Sequence, residues 1–136
     1  MKQLIHEGWN LTGFLCGYSP LIAGEGNFCH HAYTDTIAAT VPGGVHYDLF
    51  RAGIIENPYV DMNSLSCEWT ENRWWLYKTK VALQKNKAKK KHLVFEGLDY
   101  LCEIFINGKS YGEHENMFTE MRIDISHIED DFDLSV

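Results

Sequence analysis

The sequence has 136 residues, of which 45% are hydrophobic and 13% aromatic, so it can bury the core of one domain and is too apolar for a disordered chain. The formal net charge of −7 argues against nucleic acid as a partner, because phosphate binding needs a surplus of Lys and Arg. No apolar run approaches the ~20 residues of a membrane span, and polar residues interrupt the first fifteen, so we expect a cytoplasmic protein with no membrane partner.

The amino-terminal part predicts one weak strand and no metal site. The strand is centred on Trp9 in "HEGWNLTGF". The four cysteines are scattered without a CxxC pair, which favours neither a zinc site nor a disulfide framework; they are Cys16, Cys29, Cys67 and Cys102. In "CHHAY" the consecutive Cys29, His30 and His31 cannot easily point at one ion, so we expect no metal and no cofactor.

The stretch "ATVPGGVHYDLFRAG", residues 39–53, predicts a corner followed by a short helix. A strand-like run over 37–41 ends at a Pro-Gly-Gly corner. Val45, Leu49 and Ala52 then fall on one face of a helix near 45–52, and Gly53 stands where a helix C-cap glycine belongs. Two interpretations are open: either the corner is structural, or His46 and the bare backbone beside it face a ligand.

The segment from about 53 to 75 has little periodicity and is dense in aromatic residues. We predict a long irregular loop here, and such loops often carry function, although Trp and Tyr also fill the cores of sandwiches. If Trp74 and Trp75 lie in a strand they point to opposite faces. One is then in the core, and the other is an interface residue or a platform for sugar stacking.

The carboxyl-terminal half predicts several short strands. Alternating segments lie at 76–83 and 120–126, and an apolar strand-forming run lies at 92–98. Asn107-Gly108 is typical of a type I′ hairpin turn, and the basic run "KNKAKKKH" at 85–92 is interpreted as a solvated hairpin tip rather than a phosphate patch. Short strands at this spacing predict an all-β fold, an antiparallel β-sandwich with a short helix near 45–52.

Enzyme templates do not fit the chain. It has no G-x-S-x-G, no HExxH and no phosphate-cradling glycine loop. Its carboxylates fall in loops and at strand ends, where solvated surface residues are the better interpretation. We therefore expect no catalytic residue.

Three motif-bearing stretches together resemble the amino-terminal domain of family 2 glycoside hydrolases, in the β-mannosidase branch. They are "ATVPGGVHYDLFRAGIIENPY", "EWTENRWWLYKT" and "LVFEGLDYLCEIFINGKSYGEHENMF", and the pattern covers about residues 37–126. The resemblance implies a jelly-roll, galactose-binding-like domain, and it favours the structural interpretation of the corner. It also implies that the two catalytic glutamates lie on a later (β/α)8 barrel, which needs ~250 residues of its own.

The resemblance therefore implies a non-catalytic domain of a parent enzyme that hydrolyses terminal β-mannosides with retention. The domain would pack on the barrel of the same chain and shape the mouth of the active site. In the loop "PYVDMNSLSCEW", Asp61 and Asn63 would hydrogen-bond sugar hydroxyls and Trp69 would stack on a ring face. The alternative is a free-standing carbohydrate-binding module.

The last residues, "DFDLSV", resemble the opening of a strand. We therefore expect residues 1–136 to be a single domain that is incomplete at its carboxyl terminus. An unfinished sheet edge and an uncovered apolar face lead us to expect self-association.

Overall fold

Antiparallel strands dominate the computed structural model, which describes residues 2–15, 32–84 and 90–136. In chain order the elements are β1 Asn10–Leu15, β2 Ile37–Ala38, α1 Val45–Arg51, α2 Asn63–Ser66, a 3₁₀ helix Glu68–Asn72, β3 Arg73–Val81, β4 His92–Phe95, β5 Leu101–Ile106, β6 Lys109–Glu115, β7 Met121–Asp124 and β8 Phe132–Ser135. The predicted all-β class is confirmed. The chain forms two compact units, Leu4–Thr79 and Met1–Gln3 with Lys80–Val136.

In the first unit, β1 lies between β2 and β3 and is antiparallel to both. Residue 10 pairs with Ala38 on one side and with Lys78 on the other. The buried apolar residues of this unit are Trp9, Leu11, Phe14, Leu49, Cys67 and Leu76. The weak strand predicted around Trp9 is thus a central strand that begins one residue later.

A glycine in β1 makes room for a tryptophan in β3. Gly13 pairs with Trp75 across the strands, and a Cβ at Gly13 would lie 2.7 Å from Cζ3 of that indole. At this distance a Cβ would force the indole or the strand to shift, so the indole packs closely against the glycine. Trp75 is half-buried and Trp74 is exposed, which confirms that the two tryptophans point to opposite faces.

The Pro-Gly-Gly corner and α1 are built by local backbone contacts. A Cβ at Gly43 would lie 2.2 Å from the carbonyl oxygen of Thr40, so a glycine is needed there. At the other end, Gly53 has φ +72°, and its N–H donates to Phe50 while that of Ile54 donates to Leu49. This is the Schellman arrangement, and the predicted C-cap is confirmed.

Asp48 ties the helix back to the corner. Its side chain is buried, and its two carboxylate oxygens accept the backbone N–H of Thr40 at 3.0 and 3.1 Å. Of the predicted helix face, Leu49 is fully buried and Val45 partly buried, whereas Ala52 is exposed. The prediction was wrong for Ala52, because the helix ends at Arg51 and Ala52 already belongs to the cap.

In the second unit, β5 lies between β6 and β8, and β4 pairs with β7. Asn107 and Gly108 join β5 to β6 with φ values of +50° and +77°, so the predicted type I′ turn is confirmed. The apolar core residues of this unit are Val81, Leu93, Ile104, Phe105, Ile106, Ile123, Ile125, Phe132 and Leu134.

Several predicted boundaries shift. The strands predicted over 37–41 and 92–98 stop at Ala38 and Phe95, and β3 begins at Arg73 rather than at 76. The prediction that 53–75 is irregular was wrong in part, because α2 and the 3₁₀ helix lie there. Residues 85–89 of the basic run and 29–31 of "CHHAY" lie outside the described residues.

Candidate functional site

The candidate segment, residues 57–72, begins with a turn built by one asparagine. The side-chain oxygen of Asn57 accepts the N–H of Tyr59 at 3.0 Å, and its carbonyl accepts the N–H of Val60 at 3.2 Å. An Asx turn of this kind fixes the backbone after a polar residue without help from a regular element. The turn therefore sets the direction of the backbone over residues 59–62 within the first unit.

Asp61 is the predicted site residue with the most freedom to bind a ligand. It is exposed and has φ +50°, in the left-handed region that Asp tolerates better than most residues. Within the described part of the chain, its carboxylate has no hydrogen bond and no ion pair. It therefore presents two unoccupied acceptor oxygens to solvent.

Asn63 is already occupied in part by its own loop. Its side-chain Nδ2 donates to the carbonyl oxygen of Asn57 at 3.1 Å. Its carbonyl accepts from the Ser66 hydroxyl at 2.7 Å and from the Cys67 thiol at 3.2 Å. The residue thus closes the turn and starts α2, and only the remaining amide groups are left for a ligand.

Trp69 belongs to the aromatic cluster, which consists of the rings of Tyr33, Trp69 and Trp75 and the guanidinium of Arg73. The Trp69 ring centroid lies 5.5 Å from that of Tyr33 and 6.1 Å from that of Trp75, with tilted planes in both pairs. The Arg73 guanidinium carbon lies 4.1 Å above the Tyr33 ring and 5.9 Å from that of Trp69. These are cation–π distances.

A hydrogen bond to the 3₁₀ helix positions the aromatic cluster. The indole N–H of Trp75 donates to the carbonyl of Thr70 at 3.0 Å, and the buried Thr70 hydroxyl lies 2.9 Å from Nε2 of His46. His46 therefore joins α1 to the 3₁₀ helix. Together with the close contact at Gly43, this bond supports the structural interpretation of the corner.

Part of this site was predictable from the sequence. Asp61, Asn63 and Trp69 were predicted, but no hydrogen bond or ring contact in the described residues joins these three side chains to one another. Tyr33 and Arg73, which contact Trp69 directly, were not predicted. The available signal was weak: an aromatic residue at the end of "CHHAY" and a cation just before a tryptophan pair.

Metal and membrane features are scarce in the parts of the chain that the structure describes. No group of three His, Cys, Asp or Glu side chains there is arranged to hold a metal ion. Over the same ranges, no helix is long and apolar enough to span a bilayer.

The chain is similar in sequence to known proteins. A profile described as "Glycosyl hydrolase 2 galactose-binding domain-like" matches residues 27–134. The β-mannosidase of Rattus norvegicus is 35% identical over 94 residues, which is 68% of this chain and 11% of the rat protein. The β-mannosidase A of Aspergillus aculeatus is also 35% identical over 94 residues, with 68% of this chain and 10% of the fungal protein covered.

Solved structures agree with the sequence comparison. The β-D-mannosidase of Dictyoglomus thermophilum matches 98% of this chain with a TM-score of 0.73 and 28% identity, over 15% of its own length. A β-glucuronidase from an uncultured Clostridium shares the fold, with a TM-score of 0.55 and 16% identity. The chain thus spans about a tenth to a seventh of the β-mannosidases it matches, and the galactose-binding-like β-sandwich is confirmed. This chain therefore belongs to the glycosyl hydrolase 2 galactose-binding domain-like family.

Proposed function

We propose that the chain is the amino-terminal, non-catalytic domain of a β-mannosidase-like exo-glycosidase that cleaves terminal β-mannosides with retention. The observation that carries the proposal is the match to the Dictyoglomus thermophilum enzyme. Nearly all of this chain, 98%, finds a counterpart in a β-D-mannosidase of which it represents 15%. The reaction needs two carboxyl groups ~5 Å apart, and in this proposal a catalytic barrel of the same polypeptide supplies them.

The role of the domain is to border the sugar site with residues 57–72. Asp61 is the direct contact, because its exposed carboxylate has acceptor capacity for two hydroxyl groups. Asn63 shapes the turn and offers its remaining amide groups. Trp69 is held in place by its contacts with Tyr33 and Arg73, and its ring face stacks against a sugar ring.

The deciding experiment uses the full-length natural polypeptide that contains these 136 residues. We expect it to hydrolyse aryl β-mannosides. Asp61→Ala should raise KM roughly five- to tenfold, which corresponds to about 1–1.4 kcal/mol, and change kcat less. Trp69→Phe, which keeps a ring face, should have a smaller effect than Trp69→Ala.

The matched control is Glu56→Ala, which removes another exposed carboxylate just outside the segment. It should leave both constants unchanged. A stop codon directly after Val136, or a longer polypeptide without β-mannosidase activity, would instead favour a free-standing carbohydrate-binding module. Equal effects of Asp61→Ala and Glu56→Ala would remove residues 57–72 from the sugar site.

A further inference from the structure

A second candidate site lies on the other unit, in a cleft that no pattern in the sequence predicted. The cleft has a volume of about 460 Å³ and is lined by Tyr100, Glu115, Asn116, Met117 and Phe118. The cleft is shallow and open to solvent, and all five lining residues are exposed, so it contacts a ligand on one side only. It opens where β6 ends, so its walls come from a strand end and the turn that follows.

The turn after β6 is firmly held. The Asn116 N–H donates to the carbonyl of Tyr100 at 3.1 Å, and the Asn116 side-chain oxygen accepts the N–H of Phe118 at 2.9 Å. Nε2 of His114 lies 3.0 Å from the carbonyl oxygen of Asn116 and 3.1 Å from that of Thr119. Because carbonyls only accept, this nitrogen carries the hydrogen and clamps both ends of the turn.

The turn presents the aromatic ring of Phe118 to solvent. Asn116 has φ +101°, a conformation that few residues other than glycine adopt. Phe118, two residues later, is 87% exposed, and Met117 and Tyr100 are also exposed. Strained backbone that presents apolar side chains to solvent is a feature of contact sites.

Polar groups stand beside these rings with hydrogen-bonding capacity left over. The Tyr100 hydroxyl donates to Oε1 of Glu115 at 2.5 Å, and this bond raises the pKa of Tyr100. The phenol is a donor at neutral pH in any case, and its hydrogen bond orients the carboxylate. Within the described residues, Oε2 of Glu115 and Nδ2 of Asn116 have no partner. The cleft therefore offers one free acceptor and one free donor next to an aromatic face.

We propose that this cleft binds a neutral pyranoside. Phe118 and Tyr100 contact the C–H face of the sugar ring, Oε2 of Glu115 accepts from one hydroxyl, and Nδ2 of Asn116 donates to the neighbouring hydroxyl. None of the five lining residues is Lys or Arg, and Glu115 repels anions, so phosphates and uronates are excluded. The site lies on a different unit from residues 57–72 and does not depend on the proposed function.

The test is a ¹H–¹⁵N NMR titration of the 136-residue chain with methyl β-mannopyranoside, and separately with a methyl glucuronide. We expect saturable shifts of the amides of residues 115–118 with a millimolar dissociation constant for the neutral sugar, and none for the glucuronide. Phe118→Ala should weaken binding at least roughly fivefold. Asn116→Gly should also weaken it, because it removes the donor while suiting the positive φ.

The control is Tyr47→Ala, which removes an exposed ring from the other unit, outside residues 57–72, and should leave the titration unchanged. Phe118 is so exposed that its removal should not alter the melting temperature, which is measured for each variant. Three outcomes would overturn the proposal: no saturable shift up to about 100 mM sugar, unchanged affinity in Phe118→Ala, or equal binding of the glucuronide. None of them bears on the proposed function.

Discussion

At the scale of single residues, Gly13 matters because its neighbours occupy the space that a side chain would need. The indole of Trp75 occupies the space that a Cβ would need, 2.7 Å away, and the Thr34 hydroxyl is 3.2 Å from the same point. Thr34 also accepts the Gly13 N–H at 2.9 Å. Moving Thr34 away would therefore break this hydrogen bond, and moving Trp75 away would lose its packing against β1. The position is thus fixed from both sides of the β1 backbone.

We predict that Gly13→Ala lowers the free energy of unfolding by about 1–3 kcal/mol, the range for forcing extra volume into a packed site. Urea unfolding followed by tryptophan fluorescence measures it. Gly44→Ser is the matched control, because a Cβ there meets nothing within 4 Å and serine suits the N-cap position. Equal stability of Gly13→Ala and the parent chain would mean that Trp75 does not pack on this strand.

Tyr77 links a single residue to the pH dependence of stability. Burial, and then the negative charge of Asp48, raises the pKa of Tyr77 from its usual 10.0 to about 12. The unfolded chain therefore loses this proton at lower pH than the folded chain does. The contribution to stability is complete below about pH 10 and is lost as the pH rises from there through 12.

We predict that Tyr77→Phe makes the stability of the chain less sensitive to alkali. Unfolding free energies are compared between about pH 9 and pH 11, where the parent chain should lose more stability than the variant. Tyr59→Phe, which removes a hydroxyl from a ring that is 94% exposed, should behave like the parent. A parallel fall for the parent and Tyr77→Phe would show that this phenol ionises as it does in the unfolded chain.

At the scale of elements, the β5–β6 hairpin isolates a backbone effect. Gly108 has φ +77°, and a Cβ there would meet no atom within 4 Å. A substitution therefore introduces conformational cost without a clash. The partner Asn107 is anchored separately, because its side-chain oxygen accepts the N–H of Asp133 at 2.9 Å.

We predict that Gly108→Val lowers the free energy of unfolding by about 1–2 kcal/mol, the cost of placing a residue with a Cβ in the left-handed region. Thermal unfolding measured by circular dichroism reports it. Gly108→Asn should cost less, since Asn tolerates positive φ. If the two variants melt together with the parent chain, the turn is not type I′.

The elements that were predictable from sequence are those set by neighbouring residues. The Asn107-Gly108 turn and the cap at Gly53 depend on local φ values, and glycine or asparagine marks them directly. By contrast, α2 and the 3₁₀ helix have four and five residues, too few to show a helical period. The contact of Tyr33 with Arg73 joins residues forty positions apart, which no local pattern encodes.

The candidate site was predictable only as a segment. Its turn residues and aromatic content indicated a functional loop, and the family motifs placed it. Which side chains remain free depends on tertiary contacts: Asn63 is engaged by Asn57, and Asp61 is not engaged. The cleft at Phe118 was not predicted, because the identity of an apolar residue does not show whether its side chain is exposed.

At the scale of the whole molecule, the proposed function places the catalytic groups in another domain and predicts that the 136-residue chain has no β-mannosidase activity. Retaining hydrolysis needs two positioned carboxyl groups, and the proposal assigns both to a barrel of ~250 residues. The purified 136-residue chain should release no nitrophenol from aryl β-mannosides above a buffer blank. Activity that survives repurification and is abolished by a carboxylate variant of this chain would contradict the assignment.

The exposed apolar side chains of residues 59–65 predict self-association. Tyr59, Val60, Met62 and Leu65 are all exposed within seven residues, and apolar side chains exposed close together favour association. Light scattering over a dilution series should show an apparent mass that rises with concentration. The double variant Tyr59→Ser with Met62→Ser should reduce this rise, whereas Leu4→Ser, at an exposed leucine elsewhere, should not. A monodisperse monomer at every concentration would contradict the prediction.

The two thiols in the described residues give each unit its own chemical reporter. Cys67 is 1% exposed in the first unit, and its Sγ donates to the carbonyl that starts α2. Cys102, partly exposed in the second unit, has a pKa raised by burial. In a background with Cys16 and Cys29 replaced by serine, the rate at which a thiol reagent modifies each sulfur measures how often its unit opens. Cooperative and independent opening of the two units thereby become distinguishable without an added label.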